Sequence, residues 1–222
     1  MNTAVFFDLD KTISAVPTEK YFALHLFRKG IIRFKDLAQI VWETLKYDLY
    51  ITRDFGRIKR TLIRIIMKNQ DAGRMKAVYK EYFDNYLKSR IFPDMVQEIA
   101  VHKANNRKLV IISASLDFIV EEYCRYFGMD AFYAARLQIE NNTFTGETLG
   151  RIYMGRTKHE AVQDFAVLHS IDLDKSYAYG DYIEDSHMLC LVGNPVAVNP
   201  DKKLLELASQ NQWLVKNCVC AP

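Results

Sequence analysis

The chain has 222 residues, half of them hydrophobic, and a net charge of +3, which supports one sizeable core, or one core with a smaller attached unit, and excludes a disordered chain. No run approaches the roughly 18 apolar residues of a membrane span. The acidic N-terminal stretch is unlike a signal peptide, and the four cysteines show no paired zinc spacing, so a cytoplasmic location is expected.

The first element is "AVFF", Ala4 to Phe7, too short and too rich in β-branched and aromatic residues for a helix and suited to a buried parallel strand. Asp8 and Asp10 follow at once. Strand side chains repeat every two residues, so both carboxylates project to one side of the strand end, where an open parallel sheet binds its ligands. Two like charges that close repel each other, and burial raises their pKa values, unless a cation or a shared proton offsets both.

Residues 18 to 88 read as helices only. "FKDLAQIVWETLKYDLY" sets Phe34, Leu37, Val41, Leu45 and Leu49 at helical intervals, and "GRMKAVYKEYFDNYLKS" does the same with Met75, Val78, Tyr82, Tyr86 and Leu87. Gly30 suits the end of the first helix and Asp71 the N-cap of the last. From Ala15 to Arg90 there are 17 Lys and Arg against 8 Asp and Glu, whereas the remainder carries 13 against 19. Within this basic stretch "RDFGRIKRTLIR" puts Arg53, Arg57, Arg60 and Arg64 on one helical stripe. Such a stripe is either a solvated face or, if it fronts a cleft, a site for a second anionic group of a ligand.

From Ile91 helices alternate with short apolar runs. "PDMVQEIAVHKANNRK" is a helix opened by Pro93, "LVIIS" a strand, "LDFIVEEYCRYFG" a helix closed by Gly128, "AFYAA" a strand, and "RLQIENNTFTGET" a hairpin turning at Asn141 and Asn142. "TKHEAVQDFAVLHS" is a helix, "SYAYGD" a strand, "IEDSHMLCLVG" a helix, "PVAVNPD" a strand, and "KKLLELASQ" a last helix. This order predicts an α/β fold, a doubly wound, Rossmann-like parallel sheet with a helical segment inserted after the first strand. The tail pair Cys218 and Cys220 is read either as idle thiols on a frayed end or as ligands for a soft metal.

Four pieces fall where these strands end: "DLDKT", the serine of "VIISAS", the lysine of "RTKHEA", and "GDYIED". In this order, with a helical insertion between the first and second, they resemble the four motifs of the haloacid dehalogenase superfamily. The stretch "SYAYGDYIEDSHMLCLVGNPVAVNPDKKL" is similar to its phosphoserine-phosphatase-like branch. The resemblance runs from about Ala4 to about Trp213. It implies a core domain of residues 1–14 and 89–222, a helical cap domain of residues 15–88, and a Mg²⁺-dependent phosphatase acting on a small phosphorylated metabolite. A nucleic acid partner is not expected, and the oligomeric state is left open.

The resemblance also assigns roles. Asp8 is the expected nucleophile, forming an aspartyl-phosphate, and Asp10 the general acid and base. Asp8 and Asp181, with the Asp10 backbone carbonyl, are the expected Mg²⁺ ligands. Ser113 and Lys158 are expected to hold phosphate oxygens, and Asp185 to support the metal shell or orient Lys158. Gly180 precedes Asp181 in its turn, and Thr12 is expected to fix the first turn by bonding to backbone. Lys11 stands where the family most often has glycine. Ala114 and Ser115 stand where phosphoserine phosphatases have two glycines, so phosphoserine is not carried over as substrate. The alternatives are a phosphotransferase using the same intermediate and a non-catalytic module that binds a phospholigand.

Overall fold

The computed structural model describes residues 2–49 and 54–220. The first strand, β1 (Ala4–Phe7), is wholly buried. Alternation sends Ala4 and Phe6 to one face of the sheet and Val5 and Phe7 to the other, each face with its own apolar cluster. Four helices come next: α1 (Thr18–Arg28), α2 (Phe34–Asp48), α3 (Phe55–Met67) and α4 (Ala72–Asn85). The chain then continues through α5 (Pro93–Ala104), β2 (Lys108–Leu116), α6 (Asp117–Phe127), β3 (Ala131–Glu140), β4 (Thr143–Leu149) and α7 (Arg156–His169). It finishes with β5 (Tyr177–Gly180), α8 (Ser186–Leu189), β6 (Asn194–Val198), α9 (Lys202–Gln210) and β7 (Leu214–Lys216).

Among the described residues the strands form one sheet, in the order β4-β3-β2-β1-β5-β6-β7. All neighbours are parallel except β3 and β4. This is the doubly wound α/β sheet that the alternation predicts, and β1 sits near its middle, between β2 and β5. The order reverses there, which opens a crevice at the carboxyl ends of these strands. No helix among the described residues is long and apolar enough to cross a membrane.

Several local features differ from the expectations. "AFYAA" and the first arm of the hairpin are one continuous strand, β3, which turns at Asn141 and Asn142 with φ of 48° and 60°. Two left-handed residues in a row make the tight primed turn that asparagine tolerates. The helix expected over "IEDSHMLCLVG" is a 3-10 turn (Ile183–Asp185) and the single turn of α8, after which the chain at Gly193 passes against the Asp174 backbone. β7 had no strand signal. The tail is not frayed at Cys218: Asn199 donates to its carbonyl and accepts from its N–H, at 3.0 and 2.8 Å. Burial pushes the Cys218 thiol up to about 11, away from the thiolate that a soft metal needs.

The hairpin carries the helical insertion. Asn69 N–H donates to the Phe144 carbonyl and Phe144 N–H to the Gln70 carbonyl, both at 2.9 Å. Gly146 lies so close to α3 that a Cβ there would stand 2.9 Å from Lys68 Cβ. On the other side, Phe22 of α1 and Tyr79 of α4, whose rings are 4.9 Å apart edge to face, both pack against Phe118 of α6. The insertion is thus packed on the rim of the crevice.

Candidate active site

Asp8 leaves β1 with its N–H still donating to the Tyr179 carbonyl of β5, 2.9 Å away, so the sheet itself fixes its backbone. Lys158, in the first turn of α7, is buried and donates to Asp8 Oδ1 at 2.5 Å and to Asp185 Oδ1 at 2.6 Å. The second Asp185 oxygen accepts the N–H groups of Asp181 and Tyr182, both at 3.1 Å. Asp185 therefore holds the Asp181 turn with one oxygen and the lysine with the other. Gly180 makes room for this: a Cβ there would lie 2.5 Å from Asp185 Cβ.

Asp8, Asp181 and Asp185 each bring one carboxylate oxygen within 4.8 Å of the others, and all three are buried. A cluster of hard oxygen donors at that separation fits Mg²⁺. Since both Asp185 oxygens are engaged, Asp8 and Asp181 are the residues that would hold the ion directly. Thr12 departs from its expected role: its hydroxyl donates to Asp181 Oδ1 at 3.3 Å instead of to backbone in its own turn. Lys11 takes φ of 62°, the left-handed backbone where glycine is the unstrained residue.

Asp10 is held apart from this cluster. Its Oδ1 accepts the Thr18 N–H at 2.7 Å and its Oδ2 the Ser115 hydroxyl at 2.9 Å. Ser113 is buried beside it, and its hydroxyl accepts the Ser115 N–H at 3.1 Å. A cavity of about 200 Å³ brings Asp8, Asp10, Ser113, Lys158, Asp181 and Asp185 together. Sequence reasoning missed Glu184, Tyr153 and Phe55 on its walls, and missed the hold of Ser115 and Thr18 on Asp10.

The sequence profile of the haloacid dehalogenase-like hydrolases matches residues 5–189. The chain belongs to the haloacid dehalogenase-like hydrolase family. A probable phosphatase of Mycobacterium tuberculosis is 30% identical over 96% of this chain and 74% of its own length. The histidinol-phosphatase of Neisseria meningitidis is 24% identical over 98% of this chain and 99% of its own. A solved structure titled as a phospho-aspartyl intermediate analogue of phosphoserine phosphatase shares the fold, with a TM-score of 0.72 and 19% identity over 97% of this chain and 93% of the other.

Electrostatics in this haloacid dehalogenase-like hydrolase follow from burial. Removal from water raises Asp8 to about 7; Lys158 opposes the shift, while Asp185 and Asp10 add to it. Burial likewise raises Asp181 to about 9, helped by repulsion from Asp8 and Asp185. For Lys158, burial disfavours the charge, but Asp185 and Asp8 outweigh it and hold the ammonium above the ordinary lysine value. Both raised acids bind more protons folded than unfolded, so stability falls as pH rises from the ordinary carboxylate range, up to about 7 for Asp8 and about 9 for Asp181, and above pH 7 Asp181 carries the loss. The metal-free protein should therefore lose stability from pH 7 to pH 9. Saturating Mg²⁺ should flatten that slope, because the ion replaces the protons. Denaturant midpoints at the two pH values, with chelator and with Mg²⁺, test this, and identical slopes would contradict it. The window starts at pH 7 to stay clear of His102, which burial lowers to about 4.

Among the described residues, the arginine stripe does not line the cleft. Arg53 lies outside the described residues, Arg57 and Arg60 are exposed, and Arg64 pairs with Glu147 of β4 at 2.6 Å. The buried cation of α3 is Lys59, which pairs with Glu19 of α1. The phase of α3 turns Ile58, Lys59, Ile63 and Met67 inward and leaves Arg57, Arg60 and Arg64 exposed.

Proposed function

We propose that this phosphatase is a Mg²⁺-dependent phosphomonoesterase that works through an aspartyl-phosphate on Asp8, with residues 15–88 as a cap over the crevice. One observation supports the reading above the others: a buried ammonium, Lys158, bridges Asp8 and Asp185 beside Asp181, while Asp10 is held by a separate pair of donors. Such a division of labour suits nucleophilic displacement with a proton transfer alongside it.

In this reading Asp8 Oδ2, the oxygen not taken by Lys158, attacks phosphorus. Lys158 and the Ser113 hydroxyl take phosphate oxygens as charge builds on them. Asp10, fixed by Thr18 and Ser115, delivers a proton to the departing alcohol oxygen and then takes one from the attacking water. Mg²⁺, held by Asp8, Asp181 and the Asp10 carbonyl, would neutralise phosphate charge. The substrate is a small phosphorylated metabolite. The four cysteines are all unpaired, in keeping with a cytoplasmic enzyme.

The test is release of inorganic phosphate from p-nitrophenyl phosphate. Turnover is expected with Mg²⁺, loss of it with a chelator, and return when Mg²⁺ is restored in excess. Phosphate release that survives chelation would remove the metal from the reading, and no release from any monoester would remove the reading itself.

A further inference from the structure

Beside the catalytic cavity lies a second one of about 240 Å³, and the two meet at Asp10, Phe55 and Ala114. Asp10 is the proposed proton donor to the leaving group, so the second cavity is where the body of that group goes. Its walls are mostly apolar, with Ala23, Ile40, Ile58, Leu62 and Ile66 among the lining residues, and Thr44 and Ser115 add hydroxyls. It contains one charge pair, with Lys59 buried and Glu19 partly so. Glu19 accepts from Lys59 with one oxygen and from the Leu116 N–H, at 2.8 Å, with the other. Lys20 lines the mouth but is exposed, and an exposed lysine discriminates weakly among anions.

We infer that the pocket formed by α1, α2 and α3 selects phosphate monoesters of uncharged, ring-sized apolar alcohols and rejects amino-acid head groups. The inference rests on the phosphomonoesterase reading. A cavity of about 150 Å³ holds a benzene ring, so this one has room for a ring with a short linker to the phosphate. An apolar body meets apolar walls and leaves the Lys59–Glu19 pair closed. A zwitterionic head such as that of phosphoserine would have to open the pair and bring two more charges out of water into an apolar site. Desolvation of that kind is recovered only with complete new partners. Glu19 has one oxygen already committed to backbone, and Lys59 is the sole buried cation on the walls among the described residues.

The experiment compares 2-phenylethyl phosphate with O-phosphoserine, two alkyl esters with similar reacting ends. The wild-type enzyme should show kcat/KM at least about tenfold higher for the first. Leu62→Phe, which fills the pocket, should cost 2-phenylethyl phosphate at least about fivefold more than it costs acetyl phosphate, whose small leaving group does not reach Leu62. Equal or better turnover of phosphoserine, or equal losses in the variant, would overturn the inference. Binding of the same two esters to Asp8→Asn in the presence of Mg²⁺, measured by calorimetry, separates the two levels of the claim. Preferential binding of 2-phenylethyl phosphate without wild-type turnover would overturn the phosphatase reading and keep the pocket. Absence of binding by 2-phenylethyl phosphate would overturn the pocket.

Discussion

Asp8→Asn should lower kcat on p-nitrophenyl phosphate by at least about 10³-fold, since an amide cannot form the acyl phosphate and the reaction loses its first covalent step. The fold should survive. The amide has nearly the carboxylate's shape and removes a charge that burial disfavours, so the metal-free protein loses one side of a repulsive cluster. Lys158 keeps Asp185 as its partner, 2.6 Å away. The expected pattern is an inactive protein with a melting temperature no lower than that of the wild type. Steady-state kinetics and thermal melts with chelator present measure the two parts. Turnover within tenfold of the wild type would mean that Asp8 is not the nucleophile.

Lys158→Met should be the most destabilising change in the site. The ammonium sits between two carboxylates that are themselves almost out of water, with side-chain exposures of 10% for Asp8 and 4% for Asp185. Its removal leaves both without their buried counter-charge, and breaking a buried pair from one side costs about 3–5 kcal/mol. Activity should fall at least about 10²-fold, because charge developing on the phosphate loses its fixed partner. Lys158→Arg should not rescue it, since a planar fork needs more room than a site 3% exposed provides. Mg²⁺ should raise the melting temperature of Lys158→Met more than that of the wild type, as the ion then stands in for the buried cation that Lys158 supplied. An unchanged melting temperature in chelator would show that the carboxylates find another way to lose their charge.

The catalytic cluster was legible because its signals are local. A short apolar run ending in two aspartates, and a glycine followed by an aspartate one helical turn before another, are patterns fixed by strand periodicity and turn chemistry within a few residues. The contents of the second cavity were not legible for the opposite reason. Lys59 stands among Arg57, Arg60 and Arg64, and only the rotation of α3 against the core decides which cation is buried. Its partner Glu19 lies 40 residues away. Thr12 looked like a turn residue because its acceptor, Asp181, is 169 residues distant. The periodicity of α2 gave a helix but misjudged its apolar stripe: Phe34, Val41, Leu45 and Leu49 are exposed, while Ile40 turns inward. Amphipathic spacing reports that a helix has two faces, and tertiary packing chooses which of them is covered.

The position of β1 also sets an order of assembly. Its residues pair with Lys108 to Ile111 on one side and with Tyr177 to Tyr179 on the other, so neither neighbour exists when the strand is first made. The longest-range contacts carry the largest loop-closure cost, whereas α1 to α4 can gather through contacts of shorter range, such as Phe22 with Tyr79. During synthesis the most apolar strand of the protein waits with both edges bare, beside a helical unit that has begun to close. A chain halted before Tyr177 would keep one of those edges open, and an exposed edge of this composition is a template for pairing with other chains. The two aspartates that follow it, before any metal or lysine has reached them, place negative charge at the end of that edge and oppose the stacking of like strands.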